Sequence, residues 1–122
     1  MGDWDDDEKT AIGEAPELQK LLRGRPEQRA YVVVIAGPNV GETHELEGTR
    51  EVGRTSATPI HLMDPEVSRL HARFVVQGKH IVVEDLGSTN GTFVNGERIE
   101  APPELADGDK IQIGTTTILK FS

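Results

Sequence analysis

The chain has 122 residues, enough for one domain, and a formal net charge of −8 at pH 7. So acidic a chain lacks the excess of lysine and arginine that neutralises phosphates, which argues against nonspecific nucleic-acid binding and against adhesion to an anionic membrane. It contains no cysteine, which excludes disulfides and thiolate metal sites. No run of about 18 apolar residues indicates a membrane span, and no apolar N-terminal stretch indicates a signal peptide. The expected location is the cytoplasm.

The first 29 residues differ in composition from the rest of the chain. Residues 3–8 contain five acids and no base, whereas residues 9–29 contain five bases against three acids. Runs of like charge repel themselves, so the sequence predicts a disordered tail of acidic and then mixed charge over residues 1–29. Within this tail, a proline followed by a leucine stripe and a glycine predicts a short helix over residues 16–23.

From residue 30 onward the sequence shows the signals of β-strands. Residues 31–35 form a continuous β-branched run that ends at Gly37-Pro38, which is typical of a buried strand. Asn95-Gly96 is the strongest short turn signal in the chain. The short apolar or alternating runs lie at residues 31–35, 43–46, 50–52, 60–62, 71–76, 81–84, 92–94, 98–99, 104–105, 110–113 and 116–121. Ten or eleven short strands without a long helix predict an all-β antiparallel sandwich or barrel.

Side chains suited to an oxyanion lie beside three of the predicted turns. Arg54 stands where a strand meets a turn, and the planar guanidinium of arginine matches phosphate better than the ammonium of lysine does. Ser68 and Arg69 lie on a second loop, and Thr89 and Asn90 lie on a third. Binding residues collect on loops that a rigid scaffold holds. The sequence therefore predicts a small positive pocket on a negative surface, suited to a doubly charged anion.

Four motifs occur in order between residues 53 and 114. They are Gly-Arg, Ser-x-x-His, Asp-Leu-Gly-Ser-Thr-Asn-Gly-Thr-Phe-Val-Asn-Gly and a late Asp-Gly-Asp-x-Ile-x-Ile-Gly. One of these motifs alone would be weak evidence for a protein family, but four motifs in this order and at these separations are specific evidence. The chain resembles a forkhead-associated (FHA) domain, a family that reads phosphorylated motifs through arginines. The resemblance covers residues 30–122 and implies an eleven-stranded antiparallel β-sandwich whose loops at one end bind phosphothreonine peptides.

The resemblance also implies a role for each loop residue. Arg54 and Ser68 fall on phosphate-contacting positions, and Thr89 falls on a position beside them. Arg69 falls on a variable position that often contacts phosphate or peptide backbone, and Asn90 falls on the residue that fixes the peptide main chain. Four further positions would support the loops. His71 would brace the Ser68 loop, and three glycines would supply the backbone geometry: Gly53, Gly91 and Gly96.

The sequence thus favours a phosphothreonine-dependent protein-binding module in Ser/Thr kinase signalling. The implied partners are a phosphothreonine-containing protein, or the chain's own phosphorylated tail, and a Ser/Thr kinase. Thr10 follows the acidic run and is the candidate phosphorylation site, since some FHA proteins bind a phosphorylated threonine of their own tail. Two alternatives stay open: a regulatory domain cut from a larger enzyme or transcription factor, and a phosphate-independent interaction domain that uses a sandwich face.

Catalytic chemistry has weaker support in the sequence. Ser68 and His71 could serve as nucleophile and base, but no oriented acid accompanies them, which disfavours a serine hydrolase. Paired carboxylates and a phosphate-binding P-loop are absent, and the four histidines lack a short metal-ligand spacing. We therefore expect a protein that is not an enzyme, that needs no cofactor or metal, and that binds neither nucleic acid nor membrane.

Overall fold

Residues 29–122 are described by a computed structural model, and they form ten β-strands without a helix. The strands are β1 Ala30–Ala36, β2 Thr43–Leu46, β3 Thr49–Gly53, β4 Ile60–His61, β5 Ala72–Gln77, β6 His80–Asp85, β7 Thr92–Val94, β8 Glu97–Arg98, β9 Lys110–Ile113 and β10 Thr117–Phe121. None of the described residues belongs to a helix of the length and apolarity that a membrane crossing requires. The predicted tail, its short helix over 16–23 and Thr10 lie outside the described residues.

The strands form two sheets that share one apolar core. One sheet has six strands in the order β2-β1-β10-β9-β7-β8, and the other has four in the order β4-β3-β5-β6. All neighbours are antiparallel except β3 and β4, which pair in parallel. Buried side chains from both sheets, such as Leu119 and Phe74, belong to the same cluster. The prediction of an all-β sandwich is therefore confirmed.

The predicted count of eleven strands is wrong by one. The run at residues 104–105 forms a single bridge, between Glu104 and Val82, instead of a strand. Pro102 and Pro103 precede it, and a proline has no N–H to give to a ladder of hydrogen bonds. The segment still makes two backbone hydrogen bonds with β6, from the N–H of Leu105 to the carbonyl of Ile81 at 2.7 Å and from the N–H of Val83 to the carbonyl of Pro103 at 3.4 Å, but they form one bridge and not a ladder.

The first strand is buried on one face and not on both. Val32 and Val34 are buried in the core, whereas Ile35 keeps 41% of its surface exposed. Side chains alternate across a strand, and an antiparallel sheet in a sandwich keeps one face toward water. The continuous apolar run at residues 31–35 thus reflects β propensity in addition to burial.

Register within the four-stranded sheet brings three loops to one end of the sandwich. Val52 near the end of β3 lies opposite Ala72 at the start of β5, and Ala72 lies opposite Asp85 at the end of β6. These strand ends are therefore level with one another. The connections that leave or enter them meet at the same end: the β3–β4 loop at residues 54–59, the β4–β5 loop at 62–71 and the β6–β7 loop at 86–91.

Candidate functional site

Hydrogen bonds through Ser68 join the three loops to one another. The N–H of Arg54 donates to the carbonyl of Ser68 at 3.0 Å, which ties the β3–β4 loop to the β4–β5 loop. The N–H of Thr89, in the β6–β7 loop, donates to Oγ of Ser68 at 3.1 Å. The structure thus brings together Arg54, Ser68 and Thr89, which the sequence places up to 35 residues apart.

Gly53 lies where the backbone of β3 closely approaches the β4–β5 loop. A Cβ atom built on this glycine would stand 1.9 Å from the carbonyl oxygen of Arg69, far inside van der Waals contact. The residue is buried, and its φ is not in the left-handed region. Glycine is therefore required here for space and not for conformational freedom. The Arg69 side chain itself is exposed at this end.

The guanidinium of Arg54 is anchored at one nitrogen and open at two. Its Nε donates to the carbonyl of Val67 at 2.9 Å, and no hydrogen bond between described residues uses Nη1 or Nη2. No ion pair within residues 29–122 includes Arg54 or Arg69. Two positive charges therefore stand uncompensated beside the Ser68 loop, on a chain of net charge −8.

The hydroxyl of Ser68 keeps its proton available for a ligand. Its Oγ accepts the N–H of Thr89, and in the described part of the chain it donates to no acceptor. A serine hydroxyl carries one donor and two acceptor lone pairs, so the bond from Thr89 leaves the O–H free. The hydroxyl of Thr89 is exposed nearby. The two can donate to an anion without repelling it.

His71 connects the β4–β5 loop to the β6–β7 loop through both ring nitrogens. The N–H of Ser68 donates to Nδ1 at 3.0 Å, and Nε2 lies 2.9 Å from the carbonyl of Gly91. An amide can only donate, so Nδ1 is unprotonated and Nε2 carries the hydrogen. Burial lowers the pKa of His71, although the Gly91 carbonyl and the carboxylates of Asp85 and Asp64 oppose that effect. The imidazole is therefore neutral near pH 7.

The two support glycines of the later motif occupy different places. Gly91 is buried at the end of the β6–β7 loop with φ of 89°, a left-handed conformation that side chains rarely adopt. Gly96 lies in the turn between β7 and β8, next to Asn95, which also has a positive φ. Gly91 thus belongs to the three-loop region, whereas Gly96 belongs to the neighbouring hairpin and does not enter the loops.

Asn90 directs both hydrogens of its side-chain amide at one residue. Nδ2 donates to the carbonyl oxygen of Glu66 at 2.8 Å and lies 3.1 Å from Oε1 of the same residue. Oδ1 makes no hydrogen bond with any described residue, so it remains open as an acceptor. Sequence reasoning missed Glu66, because an isolated glutamate on a loop carries no pattern among 21 acidic residues.

Asp85 organises the β6–β7 loop and was also missed. Its Oδ1 accepts the hydroxyls of Ser88 at 2.6 Å and Thr92 at 2.7 Å, while Oδ2 accepts the N–H groups of Gly87 at 3.0 Å and Ser88 at 3.1 Å. The Ser88 hydroxyl in turn accepts the N–H of Gly91 at 2.9 Å. Burial alone would raise the pKa of Asp85, but these hydrogen bonds outweigh it and hold the pKa below its usual value. The Asp-x-x-Ser spacing, typical of a side-chain-capped turn, was the available signal.

The combined arrangement suits the binding of an anion beside a peptide main chain. Open guanidinium and hydroxyl donors of Arg54 and Ser68 lie on adjoining loops, and Asn90, on the third loop at the same end, offers a free acceptor. Among residues 29–122, no three His, Asp or Glu side chains come together as ligands for a metal ion.

Comparisons with known proteins agree with this geometry. A family model described as FHA domain matches residues 50–114. The chain is 43% identical over 94 residues to the glycogen accumulation regulator GarA of Mycolicibacterium smegmatis, an alignment that covers 76% of this chain and 59% of that relative. The chain thus spans about three fifths of the length of this curated relative.

Solved structures also resemble the chain over about three quarters of its length. The FHA domain of the CT664 protein from Chlamydia trachomatis superposes with a TM-score of 0.71 at 32% identity, over 76% of this chain and 95% of that one. A structure solved for the analysis of phosphothreonine-dependent FHA domain interactions superposes with a TM-score of 0.68 at 33% identity, over 76% and 94% of the two chains. Both structures are FHA-domain structures, and both are more than 30% identical in sequence to the chain.

Proposed function

The chain belongs to the FHA domain family, and from that premise we propose that its three-loop site binds phosphothreonine peptides and serves Ser/Thr kinase signalling. The observation that carries the proposal is the pair of open donors at the meeting point of the loops. The terminal nitrogens of Arg54 and the hydroxyl proton of Ser68 lack partners among the described residues. A phosphothreonine brings about −1.5 to −2 charges and three strong acceptor oxygens, which is what such donors require.

Within this proposal, each residue of the site has a distinct role. Arg54 and Ser68 bind the phosphate oxygens, and Thr89 and Arg69 add a hydroxyl and a charge at the rim of the same pocket. Asn90 holds the peptide main chain, with its open Oδ1 accepting a peptide N–H while its Nδ2 stays bonded to Glu66. His71 touches no ligand and fixes the loop that carries Ser68. This division of roles follows from which polar atoms are already bonded and which remain open.

The module acts by binding and not by catalysis. It is proposed to work in the cytoplasm, where Ser/Thr kinases phosphorylate its partner, and to require no cofactor. Its partners are a phosphothreonine-containing protein or its own phosphorylated tail, with no nucleic acid and no membrane. Two uncompensated arginines on a chain of net charge −8 support a phosphopeptide partner, because the arginines can bind one phosphate while the net negative charge of the chain repels a polyanion.

Arg54→Ala is expected to weaken the binding of a phosphothreonine peptide by about 10- to 150-fold. The variant removes a charge-assisted hydrogen bond to the phosphate, which contributes roughly 1.5–3 kcal/mol. The peptide is chosen from an oriented phosphopeptide library, and its dissociation constant is measured by titration calorimetry for wild type and variant.

Arg50→Ala is the matched control for this prediction, since Arg50 lies on the same strand β3 near the end remote from the site. That variant is expected to bind as wild type does. Equal binding of the unphosphorylated peptide would overturn the proposed function. Chemical shifts that move on a strand face, and not at Arg54, Ser68 and Asn90, would indicate a phosphate-independent interaction domain instead.

We also propose that Thr10, once phosphorylated, occupies the same site. Covalent attachment raises the effective concentration of such a ligand to the millimolar range, which offsets the absence of a side chain at Gly13, three residues further on. Phosphorylation by a Ser/Thr kinase is expected to shift the NMR signals of Arg54 and Ser68, and Thr10→Ala is expected to abolish that shift. An increase in hydrodynamic size would assign the contact to a second copy of the chain. Unchanged signals in the phosphorylated protein would contradict the proposal.

A further inference from the structure

Glu66 places a carboxylate at the point where the peptide main chain is proposed to lie. The residue is exposed on the β4–β5 loop, two positions before Ser68. Its Oε1 lies 3.1 Å from Nδ2 of Asn90, and its carbonyl oxygen lies 2.8 Å from the same nitrogen. Any peptide that Asn90 holds would therefore run beside a negative charge.

The backbone that carries Glu66 is fixed from two sides. Its N–H donates to Oδ1 of Asp64 at 2.9 Å, and Oδ2 of Asp64 accepts the buried hydroxyl of Thr117 at 2.8 Å. On the other side, Gly114 packs so closely that an added Cβ would stand 3.0 Å from the carbonyl oxygen of Glu66. The backbone of Glu66 is thus fixed beside Asn90, and the contact of Oε1 with Nδ2 of Asn90 places the carboxylate there. A fixed backbone reduces the conformational entropy lost on binding.

The charge of Glu66 is not neutralised by the cations around it. No ion pair in the described part of the chain includes Glu66, although Arg54 and Arg69 belong to the same end of the sandwich. The rim of the site therefore carries positive charge beside Ser68 and negative charge beside Asn90. A ligand that matches both regions has an anion followed, a short distance along its chain, by a cation.

We propose that Glu66 is a specificity-determining residue that favours phosphothreonine peptides with a lysine or arginine within about three residues of the phosphothreonine. This inference rests on the proposed function. An extended peptide advances about 3.3 Å per residue, so a flexible cationic side chain at such a position reaches the Glu66 carboxylate while the phosphate stays on Arg54 and Ser68. An acidic side chain at that position is repelled.

The test is a lysine scan of one phosphothreonine peptide whose flanking residues are all alanine. Single lysines are placed at each of the three positions on either side, and each dissociation constant is measured for wild type, Glu66→Gln and Glu47→Gln. Glu47 is an exposed glutamate in the turn before β3, at the end of that strand opposite Arg54, and serves as the control. One lysine peptide is expected to bind wild type and Glu47→Gln about two- to fivefold more tightly than the alanine peptide, and Glu66→Gln is expected to lose this advantage.

A charge-reversed variant tests the role assigned to Glu66 more directly. Glu66→Lys is expected to prefer a glutamate over a lysine at the position that the scan identifies, and added salt is expected to reduce both preferences. A lysine preference that persists in Glu66→Gln, or the absence of any preference in wild type, would overturn the inference. A uniform change for all peptides in Glu66→Gln would overturn it as well, because Glu66 would then only position Asn90. In each of these cases phosphate-dependent binding by wild type would leave the proposed function standing.

Discussion

Gly53→Ala is expected to destabilise the fold by about 3 kcal/mol or more, the largest effect of any single methyl group added near the site. The new Cβ would stand 1.9 Å from the carbonyl oxygen and 2.8 Å from the carbonyl carbon of Arg69. Overpacking usually costs about 1–3 kcal/mol, and this contact is with backbone, which cannot rotate away. The flanking hydrogen bonds hold both chains in place, since Arg54 N–H donates to Ser68 and Leu62 N–H donates to the Gly53 carbonyl at 2.8 Å.

Urea unfolding at pH 7 measures this loss, with Gly78→Ala as the control. Gly78 has φ of 62° and no atom within 4 Å of a built Cβ, so its substitution reports only the cost of a left-handed alanine, about 1–2 kcal/mol. Gly53 has the opposite properties, with ordinary φ and no space. A Gly53→Ala loss no greater than that of Gly78→Ala would show that the two loops can separate at little cost. Any folded fraction of Gly53→Ala is expected to bind phosphopeptide more weakly, because the Arg69 loop is displaced.

Sequence patterns predicted the strands well, because each strand is a local alternation of apolar residues bounded by turn formers. The prediction of a strand at residues 104–105 was wrong for a local reason too, because two prolines precede this run and disfavour a strand. The burial of β1 was overestimated, because a β-branched run does not reveal which face meets water. Local pattern therefore predicts where strands lie better than which of their side chains are buried.

For the site, as for the strands, the sequence predicts some features and not others. The ordered motifs predicted that Arg54, Ser68 and Asn90 would lie close together, and the structure brings the three loops to one end. The contact of Asn90 with Glu66 spans 24 residues and has no periodicity or turn signal behind it. Likewise the need for glycine at position 53 depends on a neighbour 16 residues away, Arg69. Such contacts depend on the packing of loops, which single-sequence patterns do not encode.

Asp85→Asn is expected to lower the free energy of unfolding by about 2–4 kcal/mol at pH 7 and to weaken phosphopeptide binding. The carboxylate accepts four hydrogen bonds, two at each oxygen, from Ser88, Thr92 and Gly87. An amide group in place of either oxygen would point its own N–H groups at two donors, and hydrogen bonds to a charged partner contribute about 1.5–3 kcal/mol each. Urea unfolding checks the loss, and Asp107→Asn, on an exposed turn, is expected to stay within about 0.5 kcal/mol of wild type. An equal loss in both variants would assign the effect to net charge.

The pH dependence of the free energy of unfolding, compared between wild type and Asp85→Asn, reports the contribution of the Asp85 charge. Because the folded pKa of Asp85 is lowered, its ionised form stabilises the fold fully above the pKa of an unfolded aspartate, and that contribution is lost as pH falls through the folded pKa. The stability of wild type is therefore expected to fall more steeply than that of Asp85→Asn below about pH 5. The lowered pKa of His71 acts in the same direction at higher pH, where an unfolded histidine takes up its proton first. The Asp85 carboxylate opposes that lowering, so the histidine contribution also differs between the two proteins, and the contribution of Asp85 itself is read from the fall in stability below about pH 5. Parallel curves of stability against pH would mean that the loop holds its shape without the charge of Asp85.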